Sequence, residues 1–349
     1  MHPIVGWRQF LAGVSLATIV LVTPFVWRLA RDVGQGGVAP GTPSYLPALE
    51  LERPRSPFIP YHLDLIREVR PKFVVIGDSM AGRIDPDLLG ELGGGPVVPI
   101  LQNATGSAYW YLAFKNYVKA SGTKPRWVIL LFRDTNMTDV LFRLDGPYRS
   151  KLDEVAVEVE PELDAIVESR LAGSWRSLHW RLDAAYRVER TREWLEPLVT
   201  TWPARVVAGE RAPQLLSRIN SRFELEHLRP MAQADMAATD EAAMDFGRHV
   251  NVSVLPQLLS DAREAGLRVC LIRVLRRPAD GVPAAQPEAM TRYSQAMRTF
   301  VEARGGVYFD DREATDLALL PYADGDHVAR EARAPYTRHL WQRLQALEP

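Results

Sequence analysis

A single cysteine, Cys270, occurs in 349 residues. That excludes an intrachain disulfide and any thiolate-built metal centre. Histidine is also scarce, at seven residues, and His179, His227 and His249 lack the partner spacing of a zinc site. A charge bias is missing as well: 42 Lys and Arg stand against 43 Asp and Glu, for a formal charge of −1. With no global field to attract a polyanion, a nucleic-acid partner is not expected, and neither a metal nor a cofactor is implied. One stretch lacks charge altogether. From Gln9 to Trp27 there is no Asp, Glu, Lys or Arg, and the run approaches the ~20 residues that cross a bilayer. Trp7 and Trp27 stand at its ends, as interfacial aromatics do. No small-x-small cleavage site follows, so residues 9–29 read as a retained transmembrane anchor rather than a signal peptide. Arg8 precedes the span while Arg28 and Arg31 follow it, so flanking charge does not set its orientation. Residues 32–60 carry six prolines and read as a linker.

What the chain does contain is a short β-branched run, Phe73 to Ile76, that breaks at Gly77 into a turn presenting Asp78 and Ser79. Length and turn chemistry favour a strand over a helix. Beyond it, Asp85-Pro86 is an N-cap followed by proline at the first helical position, and Ile84, Leu88 and Leu89 suit a helix. A serine in a strand-turn-helix unit is a candidate nucleophile beside backbone N–H groups. It needs a base, and the base needs an acceptor that sets its tautomer. Asp324-Gly-Asp-His327 supplies both types, after a predicted strand at 306–309 and before a terminal helix opened by Pro335. Asp326 competes with Asp324 as a turn or capping residue.

Gly-Asp-Ser opening a domain that Asp-x-x-His closes resembles the SGNH/GDSL hydrolase superfamily. The resemblance covers roughly residues 65 to 136 and 250 to 349. It implies Ser79 as nucleophile, His327 as general base and Asp324 as the carboxylate that orients it. It also implies an oxyanion hole from the N–H groups of Ser79 and Gly106, and an Asn from the third block. That block is imperfect here. The strand Trp127 to Phe132 ends in Arg133-Asp-Thr-Asn136, which leaves Asn136, Thr135 or Arg133 for the place, and Arg133 could alternatively anchor a substrate anion.

Strands predicted at 73–76, 96–101, 127–132, 267–274 and 306–309 alternate with helices. That pattern predicts an α/β fold with a parallel sheet in three layers, flavodoxin-like, with active residues at the carboxyl ends of strands. The domain is expected over 61–137 and 246–349, interrupted at 138–245 by a helical insertion or cap. Trp180, Trp194 and Trp202 within it suit a helical core or a ligand groove. His62 and the basic run Arg273 to Arg277 read as structural.

The implied chemistry is acyl transfer on an O-acyl ester. A tethered domain of this kind is similar to the SGNH-like proteins of bacterial surface polysaccharide O-acetylation. That likeness implies a single-pass inner-membrane protein with its domain outside the cytoplasm, a polysaccharide substrate and a multi-spanning membrane acyltransferase as partner. A plain GDSL esterase or lipase, and a catalytically idle scaffold, are the alternatives.

Overall fold

The computed structural model describes residues 57–144, 148–157, 160–171, 241–277, 285–314, 316–317, 320–324 and 326–347. The expected anchor at 9–29, most of the linker, His179, His227 and the three insertion tryptophans lie outside the described residues. Among the described residues, no helix is long and apolar enough to cross a membrane.

Five parallel strands form one sheet in the order β2-β1-β3-β4-β5: β1 Phe73–Gly77, β2 Val97–Leu101, β3 Trp127–Phe132, β4 Val269–Arg273 and β5 Val307–Asp310. The three central strands are buried along their whole length, as strands sandwiched between helical layers must be. Their side chains alternate between two cores. Phe73, Val75, Trp127, Ile129, Leu131, Cys270 and Ile272 face α2 (Pro86–Gly93) and the terminal helix, here α9 (Arg333–Gln345), which contributes Tyr336, Leu340 and Leu344. Burial pushes the Cys270 thiol well up, so it packs as a small apolar group.

The remaining helices are α1 (Tyr61–Val69), α3 (Ser107–Ala113), α4 (Arg149–Val155), α5 (Pro161–Leu171), α6 (Phe246–Val250), α7 (Leu255–Ala265) and α8 (Glu288–Glu302). Helix α3 runs on into a π-helical turn, Phe114–Lys119. Asp85 caps α2 by accepting the N–H groups of Asp87 and Leu88, and Pro86 sits at the first turn as its fixed φ predicts.

The compact unit holding the sheet spans residues 44–170 and 236–349. The early part of the expected insertion therefore belongs to its body. Asn116 donates to the Val155 carbonyl and to Glu160, and Lys115 bridges Glu160 and Glu162. Sequence periodicity could not reveal this, because the partners lie about forty residues apart. His249 is structural: its Nδ1 accepts from Arg170 Nη1 at 2.6 Å, and its Nε2–H donates to the Ala242 carbonyl at 2.8 Å. His62 meets the Tyr61 ring edge-on and the Tyr117 ring at a tilt, and burial lowers its pKa.

The strand order reverses between β1 and β3: the chain goes from β1 out to β2, then returns to the opposite side of β1. In open α/β sheets the crevice at the carboxyl ends beside such a reversal is where ligands bind. Ser79 follows β1 and Arg133 to Asn136 follow β3, so both flank that crevice.

Candidate active site

Ser79 is the first residue of a 3-10 turn, Ser79–Arg83, that interrupts the path from β1 to α2. Two features force the turn. The Asp78 carboxylate accepts the Met80 N–H at 2.9 Å, an N-cap that ends the strand. Gly77 lets the turn fold back: a Cβ there would stand 2.8 Å from the Ala81 Cβ and 3.2 Å from the Leu131 carbonyl oxygen on β3. As the first residue of the turn, Ser79 has an N–H with no carbonyl behind it inside the turn.

His327 arrives from the far end of the chain. Sequence patterning predicts a loop around Asp324 and His327; both residues instead lie in short paired antiparallel strands, β6 (Tyr322–Asp324) and β7 (His327–Val328), referred to below as the hairpin. The His327 Nε2 lies 2.7 Å from the Ser79 Oγ, within reach for proton transfer. When the hydroxyl donates to Nε2, the ring proton sits on Nδ1. Asp324 stands opposite His327 in the hairpin register; the orienting role expected of its carboxylate falls on a side chain outside the described residues.

Asp326, the competing carboxylate, has another task. Its Oδ2 accepts Arg133 Nη1 at 2.6 Å and its Oδ1 accepts the Arg277 N–H at 2.9 Å. Arg133 also faces Asp134 at 3.4 Å, and Arg276 grips Asp134 with bonds of 2.6 to 3.1 Å. Arg133 is thus paired with two carboxylates and spans from the end of β3 to the hairpin. Within the basic run, Arg273 is buried against Asp310, Arg276 is half-buried against Asp134, and Arg277 is exposed.

The second block is built on Gly106, the N-cap residue of α3. A Cβ at Gly106 would come within 2.2 Å of the Phe142 carbonyl oxygen, so only glycine fits. Thr105 fixes the turn, donating to the Gln102 carbonyl at 2.8 Å and accepting from Trp110 Nε1 at 3.0 Å. Arg143, which sequence reading passed over, ties this turn to the serine turn: its Nη1 lies 3.3 Å from Asp78 Oδ2 and 3.4 Å from the Thr105 carbonyl. Asn136 is half-buried, its N–H donating to the Arg133 carbonyl, while Thr135 is buried and accepts Thr138 through its own carbonyl. Of the two, Asn136 retains the more accessible side chain.

Three non-glycine residues around the crevice hold left-handed backbones: Ala104 (φ 56°), Asp134 (φ 49°) and Arg143 (φ 57°). Such conformations cost on the order of 1 kcal/mol or more each and persist only where neighbours enforce them. Here Arg276 enforces Asp134, and Asp78 with Thr105 enforces Arg143. Among the described residues no group of three or more His, Cys, Asp or Glu is placed to hold a metal ion.

Burial works to raise the Asp326 carboxyl, but the Arg277 N–H and the Arg133 and Arg276 charges hold it below the usual carboxylate range. A carboxyl depressed in the folded state stabilises while ionised. Its contribution is complete above the unfolded value, near 4, and is lost as pH falls through the folded one. Wild-type protein is therefore expected to lose stability relative to Asp326→Asn as pH drops below about 4, and to keep a constant margin above about 5. Paired denaturant titrations read this directly. A margin that does not change between roughly pH 3 and 6 would remove Asp326 as a charged anchor.

No family model matches the sequence, and a search of curated proteins returns no match. Among solved structures, the chain is similar to a Bacteroides fragilis protein described as a candidate acylhydrolase, with 9% identity and a TM-score of 0.35, over 78% of this chain and 86% of that one.

Proposed function

We propose that this protein is a serine-dependent acyl-transfer enzyme of the SGNH/GDSL type. The observation that carries the reading is the 2.7 Å approach of His327 Nε2 to Ser79 Oγ, between residues 248 apart in sequence. In this reading the Ser79 oxygen attacks an ester carbonyl while Nε2 takes its proton. The N–H groups of Ser79 and Gly106, with Asn136, receive the oxyanion. Collapse expels the alcohol, which takes the proton back from His327, and leaves an acyl ester on Ser79. An incoming hydroxyl then repeats the sequence in reverse.

The identity of that hydroxyl separates an esterase from an O-acyltransferase. The resemblance of the Gly-Asp-Ser and Asp-x-x-His blocks, together with the uncharged run near the N-terminus, supports the second. The proposed setting is a bacterial inner membrane, with the domain outside the cytoplasm. There it acts on a surface polysaccharide, served by a multi-spanning acyltransferase.

Intact mass measurement of the full-length protein after incubation with p-nitrophenyl acetate, with and without a short polysaccharide acceptor, tests this. The expected result is a single acetyl adduct on Ser79 that the acceptor discharges faster than water. An adduct cleared equally by water alone would make the protein an esterase. No adduct with any activated ester would favour the idle scaffold.

A further inference from the structure

Arg83 is one of the most enclosed charges among the described residues, with its side chain 2% exposed. Its Nε donates to the Met80 carbonyl at 3.1 Å, one residue after Ser79. Its Nη2 donates to the Asp326 carbonyl at 3.1 Å, one residue before His327. One planar group thus holds the backbone beside both members of the pair.

The guanidinium is itself fixed from behind. Asp311, 1% exposed, lies 3.8 Å from Arg83 Nη1. That carboxylate accepts the Tyr336 hydroxyl at 2.8 Å and Arg343 Nη1 at 3.1 Å. The Tyr336 ring also lies under the guanidinium, 5.4 Å from its centre. Burying a charge is costly unless acceptors and a counter-ion meet it, and Arg83 is met by two backbone carbonyls and Asp311. The fork donates in two directions from one rigid plane, which an ammonium on a flexible stem cannot reproduce.

We infer that Arg83 is a positioning residue that sets the Ser79–His327 distance; this rests on the acyl-transfer reading of that pair. The core behind Arg83 holds the guanidinium, and the guanidinium holds the serine turn and the histidine hairpin in register. Asp326 is the shared anchor, its carbonyl taken by Arg83 and its carboxylate by Arg133.

The test compares full-length wild type with Arg83→Lys and Tyr336→Phe, reading kcat and KM for p-nitrophenyl acetate alongside the thermal midpoint. Misplacing reacting groups by about 1 Å costs about 100-fold in rate. Arg83→Lys is expected to lose about that factor in kcat with KM changed less than about threefold. Tyr336→Phe removes a bond to the same buried Asp311 without touching either backbone contact, so it should lose stability while keeping most of its kcat. If the lysine variant does not fold, Arg83→Gln takes its place: its amide can reach one carbonyl but not both, and the same kcat loss is expected.

Retention of kcat in the folded Arg83 variant would overturn the positioning role and leave the acyl-transfer reading intact. A kcat loss that merely follows the fall in thermal midpoint, alike in the Arg83 variant and in Tyr336→Phe, would assign the effect to core stability and overturn it too. Failure of both Arg83 variants to fold would make Arg83 a folding residue only. A wild type with neither turnover nor a Ser79 adduct would remove the acyl-transfer reading and this inference with it.

Discussion

Ser79→Ala is expected to lower kcat/KM for an activated ester by on the order of 10⁴-fold or more, and to abolish the acyl adduct. The magnitude follows from the way a nucleophile and its base act as one unit: without the hydroxyl, no covalent intermediate forms, and only binding and oxyanion stabilisation remain. The fold should be unaffected. Among the described residues the hydroxyl's hydrogen bond is to His327, whereas the turn that carries it is held by the Asp78 cap, by Arg83 and by the close approach at Gly77. Thermal midpoints of the two proteins should therefore agree within a couple of degrees. In cells, the variant should reach normal abundance while surface acylation is lost. Full hydrolytic activity in Ser79→Ala would end the acyl-enzyme proposal, and an unchanged surface phenotype would point to a scaffold.

The largest loss of stability is expected at the other side of the sheet's carboxyl edge. Arg273, at the end of β4, donates to Asp310 Oδ2 through Nε at 3.0 Å and Nη2 at 2.6 Å, and the side chains are 6% and 5% exposed. Ser294 adds a third bond to the same oxygen at 2.6 Å. Removing one partner of such a pair strands the other charge in the interior, at a cost of about 3–5 kcal/mol. Arg273→Met should therefore lower the thermal midpoint by on the order of 10 °C. Replacing both partners relieves the stranded charge, so Arg273→Met with Asp310→Leu should recover a large part of that loss. A single variant within about 1 kcal/mol of wild type would show that breaking the pair strands no costly charge and that it contributes little to stability.

The elements that position the site were legible because their signals are local. Phe73 to Ile76 are β-branched or aromatic and stop at a turn; Asp85-Pro86 can hardly do anything but start a helix; Pro335 falls in the first turn of α9. Boundaries at β4 and β5 shifted by only one or two residues, within the fraying expected of element ends. Ser79 and His327 were legible for a related reason: each sits in a short motif whose chemistry is written in adjacent residues.

The residues that align them were not. Arg83 looks like a surface residue until a carbonyl 243 positions away is placed above it. Asp326 and Asp324 are equivalent in composition and nearly so in spacing, and it is the arrival of Arg133 from β3 and the Arg277 N–H from the end of β4 that assigns Asp326 to the anchor. Arg143 carries no motif, and its tie between Asp78 and Thr105 depends on a left-handed backbone that periodicity cannot register. Gly106 could be read as a helix-capping glycine, but the reason no other residue fits is the Phe142 carbonyl.

By itself, then, the sequence determined the alternating α/β plan, the serine turn and the histidine that can serve it, because strand, turn and cap preferences act over a few residues. Only the tertiary structure decided which charges are buried, which carboxylate clamps the hairpin and how close Ser79 stands to His327. Those are set by pairings between segments tens to hundreds of residues apart, where local preference has no reach.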